Sequence, residues 1–239
     1  EFAQLQRDVA DQLVVLCGLT KLPAKVLDIG CGTGYLTQLL CSRSRHSGLV
    51  AMDIAMPMLQ VVKSRIAGQL GYVCGDAEQL PFQTHCFGSI FSNLALQWCP
   101  NLQAVLVEFR RILVPGGKFY FSTFGPQTLI ELKQAWAHVD QFRHVNEFTS
   151  IDELQSLLEA GQWMNCRIER RHYQLKYPSV ISLMQELKGL GAQNAAHDRN
   201  RQLTTKSSLN NMIEHYPIAL DGEGITATFE VIWVSAEAG

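Results

Sequence analysis

The 239 residues are 47% hydrophobic, enough apolar material for one substantial core. A net charge of −2 supplies no basic field that would draw the chain to nucleic acid or an anionic membrane, and no apolar run nears the roughly 20 residues of a membrane-spanning helix. The seven cysteines, at 17, 31, 41, 74, 86, 99 and 166, form no CxxC pair and no zinc spacing, so reduced thiols, a cytoplasmic location and no metal are expected.

In chain order, FAQLQRDVADQLVVLCGL (2–19) carries apolar residues at helical spacing and reads as one amphipathic helix. From Ala24 to Gly125 short β-rich runs alternate with helical ones. KVLDIG (25–30), GLVAMDI (48–54), GYVCGDA (71–77), FGSIFSNL (87–94) and GKFYFSTF (117–124) read as strands, and YLTQLLCSR (35–43), MLQVVKSRI (58–66) and NLQAVLVEFRRIL (101–113) as helices. Several of the strands are apolar on both faces, as expected of a parallel sheet covered by helices. The alternation predicts a doubly wound α/β domain.

Beyond residue 125 the alternation stops. QTLIELKQAWAHV (127–139), SIDELQSLLEAG (150–161) and SVISLMQELKGLG (179–191) predict helices, the second opened by a capping box of Ser150 and Glu153. CRIERRHYQLKY (166–177) and ITATFEVIWVSA (225–236) predict long strands at the end of the sheet, and the polar, poorly periodic residues 193–223 are expected to be mobile. One domain covering 1–239 is expected, with its core at 24–125 and acceptor-side helical segments at about 126–160 and 178–223.

The sharpest local feature is VLDIGCGTG (26–34). A glycine loop between a strand end and a helix start offers free backbone N–H groups and the helix dipole to a ligand. The dinucleotide pattern is G-x-G-x-x-G, but Gly30, Gly32 and Gly34 are one residue too tightly spaced for it, and Asp28 stands two residues ahead. A carboxylate there repels a pyrophosphate and attracts an ammonium or sulfonium, so a cationic nucleoside fits better, with a purely structural turn as the alternative. Asp53 ends the second strand, where an acid can accept both ribose hydroxyls. In CGDAEQLPF, Asp76 can take an adenine amino proton and the Ala77 backbone N–H can face a ring nitrogen, unless Asp76 merely caps a helix. Asn93 closes the fourth strand at the mouth of the cleft, where it is expected to bind the cofactor.

Taken together, VLDIGCGTG, AMDIAMPML, CGDAEQLPF and RILVPGGKFYF resemble, in order and spacing, the motifs of class I S-adenosylmethionine-dependent methyltransferases. The resemblance implies a Rossmann-like seven-stranded sheet with its last strand antiparallel, S-adenosylmethionine as methyl donor and S-adenosylhomocysteine as product. It also implies Met52, Ile54 and Met58 beside the adenine, with plain core packing as the alternative. WAHVDQFRHVNEF (136–148), LMQELKGLGAQNA (183–195), LQRDVADQL and GITATFEVIWV are similar to segments of the malonyl-acyl-carrier-protein O-methyltransferases of biotin biosynthesis. That likeness implies an acidic carrier-protein partner, with malonyl-coenzyme A as a possible second thioester, and a monomer or weak dimer.

A carboxylate acceptor is already ionised at neutral pH, so no general base is expected; what is needed is a grip that orients the malonyl group. Arg143, His144 and Lys188 are the expected donors, with Asn146 as a neutral orienter, against a reading in which they are solvated or helix-terminal. Lys188-Gly189-Leu190-Gly191 also reads as a helix C-cap, and Arg167, Arg170, Arg171, Lys176, Arg199, Arg201 and Lys206 could form a carrier-protein patch. Relatives usually carry an aromatic ahead of the first helix where this chain has only Glu1 and Phe2: either the chain is truncated or the lid is built otherwise, and no lid residue is assigned, Tyr35 and Trp98 being only nearby candidates. Two other readings stay open: a methyltransferase acting on another dicarboxylate or a quinone precursor, and a donor-binding protein without catalysis.

Overall fold

The computed structural model describes residues 2–18, 25–43, 48–66, 68, 70–189, 205–219 and 222–239. Its elements run α1 (Phe2–Leu16), β1 (Val26–Ile29), α2 (Tyr35–Arg43), β2 (Leu49–Asp53), α3 (Met56–Arg65), β3 (Gly71–Cys74), β4 (Phe87–Asn93), α4 (Leu102–Ile112), β5 (Leu113–Phe124), α5 (Ile130–Ala137), α6 (Ile151–Ala160), β6 (Met164–Tyr177), α7 (Val180–Gly189), α8 (Lys206–His215) and β7 (Ile225–Glu237). The seven strands form one sheet in the order β3-β2-β1-β4-β5-β7-β6, as the Rossmann-like methyltransferase reading requires.

The first five strands pair in parallel, with Asp28 beside Ala51 of β2 and Phe91 of β4. β7 runs the other way. Gly116 N–H donates to the Ala238 carbonyl and Gly125 N–H to that of Glu230, so rising numbers on one strand meet falling numbers on the other. β1 is buried at every position, which is why VLDI reads as an unbroken apolar run around one acid.

Contacts divide the chain into two compact units, one of residues Ala3–Phe124, Ser150–Arg170 and Ile232–Gly239, the other of Glu1–Phe2, Gly125–Thr149 and Arg171–Val231. In the first, β1, β4, β5 and β7 supply Leu27, Ile90, Phe119, Phe121, Ile232 and Val234 to a single apolar cluster with Val105, Phe109 and Ile112 of α4. The α4 stripe follows directly from the helical spacing of its sequence, and Asn101 caps it by accepting from Ala104 N–H at 3.0 Å.

Helix α6, expected on the acceptor side, contributes Leu154 and Leu158 to that same cluster, next to Trp163, whose ring meets Phe119 edge-on at 4.7 Å. Its predicted capping box is present: Ser150 Oγ accepts from Glu153 N–H, and Glu153 accepts from Ser150 N–H. The backbone and hydroxyl bonds of Ser150 hold the Glu153 carboxyl below its usual range. Ser150→Ala is expected to lower unfolding free energy by about 1 kcal/mol, read by urea denaturation; an unchanged midpoint would mean the cap carries nothing.

In the second unit, α5 starts three residues later than its sequence run. Leu129 takes a left-handed conformation (φ 56°), and the preceding Gln127 N–H and Thr128 hydroxyl are engaged by Glu230 of β7. The expectation of mobility at 193–223 is corrected in part: Lys206–His215 is helix α8, opened by Thr205, whose hydroxyl accepts from Ser208 N–H. Residues 193–204, with Arg199 and Arg201 of the basic patch, lie outside the described residues. Arg167, Arg170, Arg171 and Lys176 are exposed on β6, the edge strand of the sheet. Among the described residues no helix is long and apolar enough to cross a membrane, and no group of three or more His, Cys, Asp or Glu could hold a metal ion.

Candidate functional site

The loop between β1 and α2 shows three glycines with different duties. All have positive φ (66°, 52° and 90° for Gly30, Gly32 and Gly34), a region that suits glycine. A Cβ on Gly30 would overlap that of Ala95, and one on Gly34 would stand 3.1 Å from Val62 Cγ2. A Cβ on Gly32 would meet nothing within 4 Å. Gly30 and Gly34 therefore let the loop pack on the protein, while the space over the Gly32 Cα is open.

Asp53 fixes the loop from the end of β2. Its Oδ2 accepts from Gly32 N–H at 2.9 Å and its Oδ1 from Ala55 N–H at 2.8 Å. A carboxylate has about four lone-pair positions, so capacity remains for a vicinal diol. Ile54, next along, is 72% exposed, an apolar face on the surface beside that carboxylate. Met58 is half-buried, whereas Met52 lies in the core cluster, so its adenine role gives way to packing.

At the end of β3, Asp76 is exposed and its Oδ1 accepts from Glu78 N–H at 2.9 Å, which shapes the turn around the buried Ala77. Asn93 is more committed than its sequence position implied. Its Nδ2 donates to the Gln6 carbonyl and its Oδ1 accepts from Ser122, so the amide ties α1 to the sheet. Tyr35 donates to Asp11 of α1 with Arg7 over its ring, and Trp98 is 42% exposed.

Asp28 is the largest departure from the sequence picture. Expected as a contact group beside the loop, it is 1% exposed and accepts from the Thr37 hydroxyl at 2.6 Å. Burial, reinforced by the nearby Asp53 charge and opposed by Thr37, pushes its carboxyl up to about 7. A carboxyl so enclosed offers a ligand its charge and almost no contact surface. Burial and the same two acids also raise the Cys31 thiol, so this loop cysteine stays protonated and is no nucleophile.

The acceptor-side residues lie in the other unit. His144 is brought to a defined place: its ring stacks on Trp136 at 3.7 Å and 6°, and its Nε2 lies 2.8 Å from Asp140 Oδ1. Arg143 pairs with Glu147 at 3.1 Å, half-exposed. Lys188 is exposed in the last turn of α7. Lys133, which sequence reasoning passed over, donates to the Pro126 carbonyl and sits over the Phe148 ring; burial pulls its ammonium down, against Glu147 and Glu230. Thr37, Trp136 and Asp140 were also missed. The acid four residues before His144 was the available signal, but that spacing is informative only in a helix, and α5 ends at Ala137.

Open space over the Gly32 Cα, a fixed carboxylate with spare acceptor capacity and an exposed apolar side chain suit a nucleoside, and the buried acid beneath favours a cationic one. The family described as "Methyltransferase domain" matches residues 27–121, the span that holds all of these groups. A malonyl-[acyl-carrier protein] O-methyltransferase of Methylococcus capsulatus is 40% identical over 98% of this chain and 87% of its own length. Another, of Nitrosospira multiformis, is 39% identical over 97% of this chain and 81% of its own. Among solved structures, the YcgJ protein of Bacillus subtilis matches with a TM-score of 0.68 and 18% identity over 95% of this chain and 97% of that one, a likeness of fold. With about two fifths of its residues shared along nearly its whole length, the chain belongs to the malonyl-[acyl-carrier protein] O-methyltransferase family.

Proposed function

We propose that the chain methylates the free carboxylate of a malonyl thioester on acyl-carrier protein, or on coenzyme A, giving the methyl ester that primes pimeloyl and hence biotin synthesis. Family membership over 98% of the chain carries this reading. S-adenosylmethionine is the donor, held by the Gly32 backbone, with Gly30 and Gly34 shaping the loop, and by Asp53, Ile54, Met58, Asp76 and Ala77. When bound, it supplies a methyl carbon whose bond to a cationic sulfur breaks as a carboxylate oxygen takes it.

The protein's share is then orientation. The acceptor carboxylate, with an ordinary pKa near 4, needs no base, and well-oriented intramolecular reactions gain roughly 7 to 11 kcal/mol from placement. Arg143 exchanges Glu147 for the substrate carboxylate, and His144, Lys188 and Asn146 fix its direction. The buried Asp28 keeps a negative potential under the loop, and its own ionisation is favoured by a bound cation.

The test is mass spectrometry of malonyl-acyl-carrier protein after incubation with donor, beside malonyl-coenzyme A, aconitate and a demethylquinone. A gain of one methylene on the carrier-protein thioester is expected. Transfer only to aconitate or the quinone, or donor binding with no transfer at all, would replace this reading by one of the two others.

A further inference from the structure

The His144 ring is held on two sides. Trp136 covers a face at 3.7 Å, and Asp140 takes one ring nitrogen. The ring keeps 13% of its side-chain surface open. Residues 140–149 have no regular backbone bonding to set a side chain's direction, so the local anchor matters. Asp140 Oδ1 accepts from Phe142 N–H at 2.9 Å as well as facing His144 Nε2 at 2.8 Å. One carboxylate oxygen therefore fixes both the turn and the ring.

We infer that Asp140 is a positioning residue for methyl transfer, acting through His144. The inference rests on the acceptor reading above. Asp140 as a carboxylate only accepts, so Nε2 carries a proton and donates. A flip of the ring would keep the Trp136 stack but lose that bond, so Asp140 is what selects the ring's orientation. Nδ1 is thereby the nitrogen left for the acceptor; a carboxylate there only accepts, so the grip is made with Nδ1 protonated as well, from a ring already ordered before substrate arrives. Removing Asp140 leaves the imidazole chemically intact but free to turn and to change tautomer, which misdirects the grip without abolishing it. The expected loss is a fall in kcat, with donor affinity untouched, since the donor is held by residues 28 to 77.

A double-substitution cycle on the full chain separates this from a merely structural role. Asp140→Ala is expected to lower kcat for malonyl-acyl-carrier protein about 10- to 100-fold in the presence of His144, and to add less than about twofold in the His144→Ala background. Asp140→Glu should recover part of the loss. Losses that multiply in the double variant, or an unchanged kcat in Asp140→Ala, would overturn the inference. Nitrogen-15 NMR of the histidine ring gives a readout that does not depend on the acceptor: the Nε2–H tautomer is expected in the parent and a mixture in Asp140→Ala. A parent ring protonated on Nδ1 alone would defeat the inference even with activity intact. Failure of the parent to methylate any malonyl thioester would instead defeat the substrate assignment, leaving the NMR result to decide the Asp140 hold on the ring.

Discussion

Asp28→Asn is expected to cost the protein its donor while making it more stable at alkaline pH. The two effects share one cause. Asp28 is buried in β1 with a folded pKa of about 7, against about 4 in an unfolded chain. Between those values the folded protein keeps a proton that the unfolded chain has released. Stability therefore falls as pH rises through that window, and above about 7 the whole cost of the buried charge is present. A shift of this size corresponds to on the order of 2 to 4 kcal/mol at pH 8. Asparagine keeps an oxygen for the Thr37 hydroxyl but adds an amide N–H₂ that lacks an acceptor there, a constant penalty of about 1 to 3 kcal/mol.

The pH dependence separates the two terms. The difference in unfolding free energy between variant and parent should move in the variant's favour from pH 4 to pH 7 and level off above. A flat difference across that range would remove the buried charge from the argument. On the ligand side, calorimetric affinity for S-adenosylmethionine should fall more than tenfold in Asp28→Asn at pH 8, and parent affinity should weaken as pH drops below about 7, where Asp28 becomes neutral. Parent and variant binding the donor equally well at pH 8 would mean that the acid serves the fold alone. A cation bound beside the acid would offset the cost it imposes on the empty protein.

How far the sequence carried these conclusions depends on burial. β1, β2, β4 and β5 lie inside the sheet, so their apolar runs marked the strands, and the acids of β1 and β2 with the glycines marked the candidate donor loop. β6 was legible as a strand although it is an exposed edge, because its β-rich residues lie between clear breaks. Helix α8 was not, since only Met212 of its ten residues is buried and its face leaves almost no hydrophobic period. The depth of Asp28 was equally hidden. Spacing placed it ahead of the glycines, but the aspartate code does not distinguish a surface contact from a buried field, and Thr37 nine residues on gave no warning of the bond between them. On the acceptor side Arg143 and His144 were found by likeness, while Trp136 and Asp140, which hold His144, belong to a helix end and an irregular loop where no period points from one residue to the next.

The glycine loop gives the second large effect, because its positions should fail in opposite ways. Gly30→Ala is expected to unfold the protein more readily with little specific effect on the donor. Its φ of 66° costs an L residue about 1 to 2 kcal/mol, and its Cβ would overlap that of Ala95, forcing strand end and loop apart for roughly 1 to 3 kcal/mol more. Gly32→Ala carries the conformational cost alone, since nothing of the protein lies within 4 Å of the added atom. On the proposed reading that open space is where the donor lies, so donor affinity should drop at least tenfold while the unfolding free energy from urea denaturation falls by about 1 kcal/mol. Adding Ala95→Gly to Gly30→Ala removes the atom that is struck and leaves the φ strain, so it should restore part of the stability and none of the rest. If Gly32→Ala bound the donor normally, the open backbone would not be the seat of the nucleoside. If Ala95→Gly restored nothing, the cost at Gly30 would be conformational throughout, and the close approach of Ala95 would be incidental to the loop.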